Sequence, residues 1–408
     1  MKNKKAYISD FIFSIAGLLA MNGVVSLVVY PTIEKTSGAA FQGQVLFFMS
    51  IAALLGASLG NGANYGRLKI YTEEKNTVNG EYNIFLVFSG LLIVAFTFVS
   101  ILIKGNSAEG TWIGIFGIFL STAVRYYADV EYRLSLNYKR FALYYVIIAA
   151  GYLLGLLIYR FTGAWPLIFI TGEIAGILFV VLTGKVFRGK FFERTARFPQ
   201  HMKTVSVLAG SYFLSDFVSS ADRLLLPVLV TGGDELSSVF YYASLVGKLM
   251  SLLSAPLNGV LSGHIAKKEG GLKRKQFAGI LLWMLGIWAV VTALSVLGSF
   301  LFVKLFYPEH LEEASPLFLL ANAGQVIFFI CNTLMVVVLR YTNERNLLFV
   351  SIAYIAVFFA VTVPLVLSFG IWGLAWGIFA VNVLKFILFA VFGFFGLKKD
   401  AAAKEKEA

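Results

Sequence analysis

The chain has 408 residues, of which 59% are hydrophobic and only 14% charged, and its mean hydropathy is +0.80. A water-soluble domain carries roughly 25% charged residues, so this composition excludes a globule covered by its own polar surface and requires lipid over most of it. The net charge of +12 does not indicate a nucleic-acid partner, because the basic residues sit in short segments between apolar runs, where they act as topology signals.

At the start, Lys2, Lys4 and Lys5 precede an apolar stretch that runs to Ile33. That is longer than the roughly 7–15 residues of a secretory signal core, so it reads as a retained first span. A bilayer core needs about 20 apolar residues per helix. This window places spans at 8–31, 41–65, 84–104, 111–131, 141–160 and 164–185. After a basic connection they continue at 204–230, 236–264, 277–303, 314–340, 346–369 and 372–396. Runs such as Ile84 to Ile103 show none of the polar–apolar alternation of a membrane β-barrel. The predicted fold class is therefore an all-α integral membrane protein of about twelve helices.

Orientation follows from lysine and arginine. With the N-terminus in the cytoplasm, 26 of the 34 fall in cytoplasmic segments, and only Lys35, Lys104, Arg160 and Lys304 fall outside. The alternation holds loop by loop and puts both termini in the cytoplasm. Trp112, Trp165 and Trp372 stand at the outer starts of spans four, six and twelve, as interfacial anchors do. The longest basic connection, Lys185 to Lys203, divides the chain into an N-terminal lobe (1–190) and a C-terminal lobe (191–408) of six helices each. A faint repeat crosses it: Tyr30-Pro31 and Leu59-Gly60-Asn61-Gly62 match Leu226-Pro227 and Leu257-Asn258-Gly259. Parallel repeats of this kind recur in transporters. Pro256, near Ser254 and Asn258, is a candidate hinge, with an ordinary helix kink as the alternative.

Four basic residues are left inside the spans: Arg125, Arg223, Lys248 and Lys385. Their acidic companions are Asp129, Glu173, Asp216 and Asp222. A charge near the bilayer centre costs at least about 2.5–3.5 kcal/mol, so such residues face a partner or an aqueous cavity. In span seven, Asp216, Ser219, Ser220 and Arg223 share one helical face. In span eight, Ser244, Lys248, Ser251 and Ser254 form a second polar stripe. The spacing of Arg125 and Asp129 also allows a salt bridge within one helix. No acidic residue lies within a turn of Lys248 or Lys385 on its own helix, which points to a cationic cavity for an anion such as a phosphate. Glu173, Asp216 and Asp222 are candidates for coupling to a proton or sodium ion, or are counter-ions. No metal site is expected: His201, His264 and His310 are far apart, and the one cysteine, Cys331, cannot form a disulfide within the chain.

The segments Asp222-Arg-Leu-Leu-Leu-Pro-Val-Leu, Tyr241-Tyr-Ala-Ser-Leu-Val-Gly-Lys248 and Ala255-Pro-Leu-Asn-Gly-Val-Leu resemble polysaccharide transporters. These are the Wzx-type flippases of the multidrug/oligosaccharidyl-lipid/polysaccharide (MOP) exporter superfamily. The resemblance extends over the whole chain in topology and is concentrated in spans seven and eight. It implies a MATE-like fold whose two lobes alternate in access around a central cationic cavity. The implied substrate is an undecaprenyl-pyrophosphate-linked oligosaccharide, moved to the outer leaflet for surface polysaccharide biosynthesis. Arg223 and Lys248, with Arg125 from the first lobe, would then meet the pyrophosphate or acidic sugars, and the lipid tail would lie between lobes. Polysaccharide-assembly proteins in the cell membrane are the implied partners.

No enzyme is indicated, since there is no Walker A loop and no nucleophile–base constellation, and no cofactor is expected. A membrane-embedded polymerase or glycosyltransferase would carry a large outer loop, whereas the outer connections here are about ten residues long. The remaining alternative is a multidrug/cation antiporter of the same superfamily, which predicts net acidic cavity residues in the first lobe, where this chain has Asp10 near the membrane edge but the basic Arg125 inside.

Overall fold

The structure is a computed structural model that describes residues 2–74, 77–104, 111–251, 272–339 and 344–407. Every regular element among them is helical. In chain order these are α1 (Lys2–Val24), a π-helical turn (Val25–Val29), α2 (Tyr30–Ser37), α3 (Ala39–Leu55), a second π-helical turn (Gly56–Gly60) and α4 (Asn61–Glu74). Next come α5 (Asn79–Lys104), α6 (Thr111–Ala128), α7 (Val130–Leu134), α8 (Tyr138–Thr162), α9 (Pro166–Thr183) and α10 (Phe198–Leu229). The chain closes with α11 (Gly233–Ser251), α12 (Arg274–Phe306), α13 (Leu311–Ala314), α14 (Phe318–Leu339) and α15 (Glu344–Glu407).

Among the described residues, nine helical stretches are long and apolar enough to cross a membrane. One of them, Ile352–Gly396, has 45 residues, about twice what a bilayer needs. It departs from helical geometry at Gly370 (φ 55°, ψ −127°), a conformation glycine adopts without steric cost. It therefore holds both of the last two predicted spans. The long helices α10 and α11 fall on spans seven and eight and are less apolar because they carry Asp216, Asp222, Arg223 and Lys248. A helix thus lies on each predicted segment, and the chain is a multi-pass membrane protein. The part of span eight beyond Ser251, with the Pro256 hinge and the second copy of the repeat at Leu257–Gly259, lies outside the described residues.

Contacts group the chain into a unit Met1–Leu224 and a unit Leu225–Ala408. Glycines set the packing of the first. Gly151 of α8 faces Gly172 of α9, while Gly155 lies against Ile168 and Gly176 against Ile148, each helix carrying the small-xxx-small spacing that brings membrane helices together. A Cβ at Gly151 would stand 2.6 Å from the Gly172 Cα, and one at Gly155 would stand 2.5 Å from the Ile168 carbonyl oxygen. The second π-helical turn lays Gly56 against Thr122 and Tyr126 of α6, and Gly62 and Gly66 of α4 meet Ala209 and Val205 of α10. In the second unit Asn322 of α14 is buried and ties three helices. Its amide nitrogen donates to the Ala243 carbonyl (2.9 Å), Ser299 Oγ (3.0 Å) and the Phe318 carbonyl (2.8 Å), while its oxygen accepts from the Gly247 N–H (2.8 Å). Below it, Ile327, Ile330, Cys331 and Leu334 pack with Phe386 and Phe389 of α15.

Large apolar side chains are turned outwards on α5 (Phe88, Leu91, Leu102) and α12 (Leu282, Trp283, Leu305), each at least 63% exposed. Against water this surface would be unfavourable at about 25 cal/mol per Å²; against lipid it is not. Trp112 and Trp372 are also exposed. Trp165 departs from the expected interfacial role. It is buried and stacked on Phe48 at 5.9 Å, with Phe169 edge-on, because the first turn of α9 packs inside the first unit.

Candidate functional site

Arg125 lies in the last turn of α6 with its guanidinium turned towards α9. Its Nε is 2.7 and 2.9 Å from the two carboxylate oxygens of Glu173, and both side chains are almost fully buried. Tyr152 of α8 donates its hydroxyl to the same carboxylate at 2.8 Å, Tyr144 donates to the Arg125 carbonyl at 3.2 Å, and the Tyr126 ring lies under the guanidinium at 4.3 Å. Two of the predicted site residues are therefore brought together as one neutral, hydrogen-bonded pair.

The intrahelical Arg125–Asp129 bridge that the spacing allowed is not formed. Helix α6 ends at Ala128, and Asp129 stands at the break before α7. There it is bound at both oxygens by Arg133 (2.9 and 3.0 Å), with Tyr145 donating at 2.9 Å and Asn64 also donating to it. Arg133, counted in the sequence as a cytoplasmic loop charge, is in fact half of this network, with Tyr65 taking a further bond at 2.9 Å. The sequence offered one signal for it, the i,i+4 spacing of Asp129 and Arg133.

On α10 the helical stripe forms as its spacing requires. Ser219 Oγ donates to the Asp216 carbonyl at 2.9 Å, Asp222 is buried, and its carboxylate lies 3.9 Å from Arg223 Nε. Asp216 and Arg223 are partly exposed. Lys248 lies on α11, also partly exposed, while Ser244 one turn earlier is fully buried.

Lys385 lies on α15, in the second unit. Its side chain is buried, with Nζ 3.4 Å from Asn332 Oδ1 and 4.6 and 4.5 Å from the ring centres of Phe328 and Tyr354. Among the described residues it has no carboxylate within 4.0 Å. Tyr354 donates to Asn382 Oδ1 at 2.8 Å, and Asn382 donates to the Gly324 carbonyl at 3.0 Å, so the cage is itself anchored. Two aromatic rings and one amide oxygen thus meet the ammonium. Among the described residues, no cluster of three or more His, Cys, Asp or Glu side chains is arranged to hold a metal ion.

A second buried pair went unnoticed in the sequence. His201 Nδ1 lies 2.7 Å from Glu81, whose other oxygen accepts from the Thr195 N–H (2.8 Å) and Oγ1 (2.7 Å). It fastens the basic connection to the first turn of α5, where Asn83 also donates to the Phe191 carbonyl.

No protein-family model matches the chain, and no curated protein matches it in sequence. Solved structures do match. An inward-facing multidrug-resistance MATE-family transporter of the MOP superfamily aligns over 99% of both chains, at TM-score 0.66 and 16% identity. A Vibrio cholerae MATE transporter in its bent form aligns over 97% of both, at TM-score 0.61 and 16% identity. A Pyrococcus furiosus MOP-superfamily transporter, described as having a binding pocket of reversed polarity that suggests a different function, aligns over 98% of this chain and 96% of its own (TM-score 0.62, 16% identity). Low identity with near-complete coverage establishes the architecture: this chain has the two-lobe, all-helical MATE fold.

Proposed function

We propose that the protein is a flippase that moves a lipid-linked, undecaprenyl-pyrophosphate-bearing oligosaccharide across the cytoplasmic membrane by alternating access, for surface polysaccharide biosynthesis. Its lobes are the six-helix halves 1–190 and 191–408, and both termini are cytoplasmic. One observation carries the reading: Lys385 is a buried lysine caged by aromatic rings and an amide, with no carboxylate within ion-pair distance among the described residues. A buried cation of this kind favours an anion arriving from outside the protein. Lys248 and Arg223 supply further positive charge on consecutive helices.

Arg125 enters this scheme differently from the other cations. Its guanidinium is already held by Glu173, so the pair has to open, or act as a fixed polar wall, when substrate passes. Asp216 and Asp222 on α10 remain the carboxylates for proton or sodium coupling, with Glu173 available only if Arg125 releases it. The π-helical turns and Pro227 give the helices points at which to bend.

The same fold serves multidrug antiport, and cargo charge separates the two readings. Complementation of a flippase-deficient strain tests ours. Lys385→Ala, Lys248→Ala and Arg223→Ala should each lower surface-polysaccharide export at normal protein level. Full export by all three would remove the cationic-site mechanism. Efflux of a cationic dye without any glycan export would favour the antiporter.

A further inference from the structure

Within the first unit, α3 and its π-helical turn, α5 and the first half of α10 border a cleft of about 480 Å³ that is open along the outward, lipid-facing side where Phe88 and Leu92 are exposed. Its walls are apolar and rich in rings, with Phe85, Phe88 and Phe96 on one side and Phe198 and Phe213 on the other. Of the three serines in the wall, Ser206 is exposed, and the other two turn their hydroxyls onto their own helices, Ser58 to the Leu54 carbonyl at 2.6 Å and Ser89 to the Phe85 carbonyl at 2.8 Å. Neither therefore calls for a polar ligand. From Ile84 to Phe96 the wall runs about 18 Å along α5, at 1.5 Å per residue. That is roughly half a bilayer with its interface.

The mouth of the cleft carries charge. Phe198, which lines it, is the first residue of α10 and lies within the basic connection Lys185 to Lys203. The Arg194 guanidinium lies 5.1 Å from the Phe198 ring centre and is exposed. Phe191 and Phe192 of the same connection are exposed at 52% and 63%, the pattern of a basic aromatic segment resting on a membrane interface. A hydrogen bond from Asn83 to the Phe191 carbonyl (3.4 Å) ties this segment to α5 beside Ile84 and Phe85 of the wall. An apolar slot half a membrane deep, opening beside an exposed arginine, matches an amphiphile with an anionic head and a hydrocarbon tail.

We propose that this cleft seats the tail of a phosphate-bearing lipid, with its phosphate at Arg194, and that it is where the transported lipid-linked substrate first docks. The proposal rests on the flippase reading for the identity of the lipid, and on the cleft itself for the binding mode. The substrate enters from the leaflet that faces the basic connection, tail first along α5 and α10.

Gly210 makes the test clean. It lines the cleft, and nothing lies within 4 Å of the position a Cβ would take there, so Gly210→Trp fills the cleft without disturbing the helix packing. Gly286→Trp, on the exposed face of α12 and equally open, is the control. Binding of undecaprenyl phosphate to the full-length protein in nanodiscs is measured by native mass spectrometry, alongside flipping of a lipid-linked oligosaccharide in proteoliposomes. Gly210→Trp should weaken binding about tenfold or more by excluding tail methylenes. Arg194→Ala should weaken it about fivefold, and Gly286→Trp should leave it unchanged. Inorganic phosphate should not displace the lipid. Unchanged binding in Gly210→Trp, or displacement by phosphate alone, overturns the proposal even if the wild-type protein flips glycans. Loss of binding in Gly210→Trp with no glycan flipping by the wild type supports the cleft and instead refutes the flippase reading.

Discussion

Replacing Arg125 by methionine removes the only cation within ion-pair distance of Glu173 among the described residues and leaves a buried carboxylate with a single hydrogen bond from Tyr152. At an effective dielectric of about 20, opposite unit charges about 4 Å apart attract by about 4 kcal/mol. Breaking a buried pair from one side costs about 3–5 kcal/mol, whereas replacing both partners by neutral groups of similar volume is close to neutral. Arg125→Met and Glu173→Gln should therefore each destabilise the protein by about 3 kcal/mol or more. The double variant should fall well short of their sum, with a coupling of about 2–3 kcal/mol. Denaturant unfolding of the purified protein in detergent, run as a double-mutant cycle, reads this directly. Additive losses would refute the view that Arg125 is committed to Glu173 and would return it to the pool of cations free to meet substrate.

Gly155→Val should fail to give folded protein, because its branched side chain would drive α8 off the Ile168 carbonyl; size-exclusion profiles of the solubilised protein check this, and a monodisperse peak would contradict the packing. Asn322→Ala should cost about 2–3 kcal/mol, since a buried amide that serves three carbonyl or hydroxyl acceptors and one N–H is lost, and an unfolding midpoint equal to wild type would count against that network. In a Cys331→Ser background, Lys35→Cys should react with a membrane-impermeant maleimide on intact cells and Lys190→Cys should not. The opposite labelling pattern would invert the assigned orientation.

Much of the fold was legible in the sequence, because the signals that carry it are local. Each span announces itself by about 20 apolar residues, without any knowledge of packing. Gly151-xxx-Gly155 and Gly172-xxx-Gly176 stand openly in the sequence as well, but nothing local says that Gly151 meets Gly172. The site was less legible for the same reason. Arg125 and Glu173 are 48 positions apart, and only the α6–α9 packing joins them, whereas the spacing of Asp129 allowed a bridge within one helix. Asp129 was lost to Arg133 because α6 stops one residue before it. Glu81 and His201 are 120 positions apart and gave no periodic signal, and Trp165 looked interfacial because burial depends on α3, which sequence spacing does not report. The Lys385 environment was half visible: the absence of an acidic neighbour on its own helix could be read, but its aromatic cage on α14 and the first part of α15 could not.

Reconstituted transport tests the central claim most directly. Purified protein in proteoliposomes, given a fluorescent undecaprenyl-pyrophosphate-linked oligosaccharide, should move it between leaflets faster than protein-free liposomes, and Lys385→Ala should abolish the difference. Transfer at the protein-free rate by the wild type, or undiminished transfer by Lys385→Ala, would contradict the account.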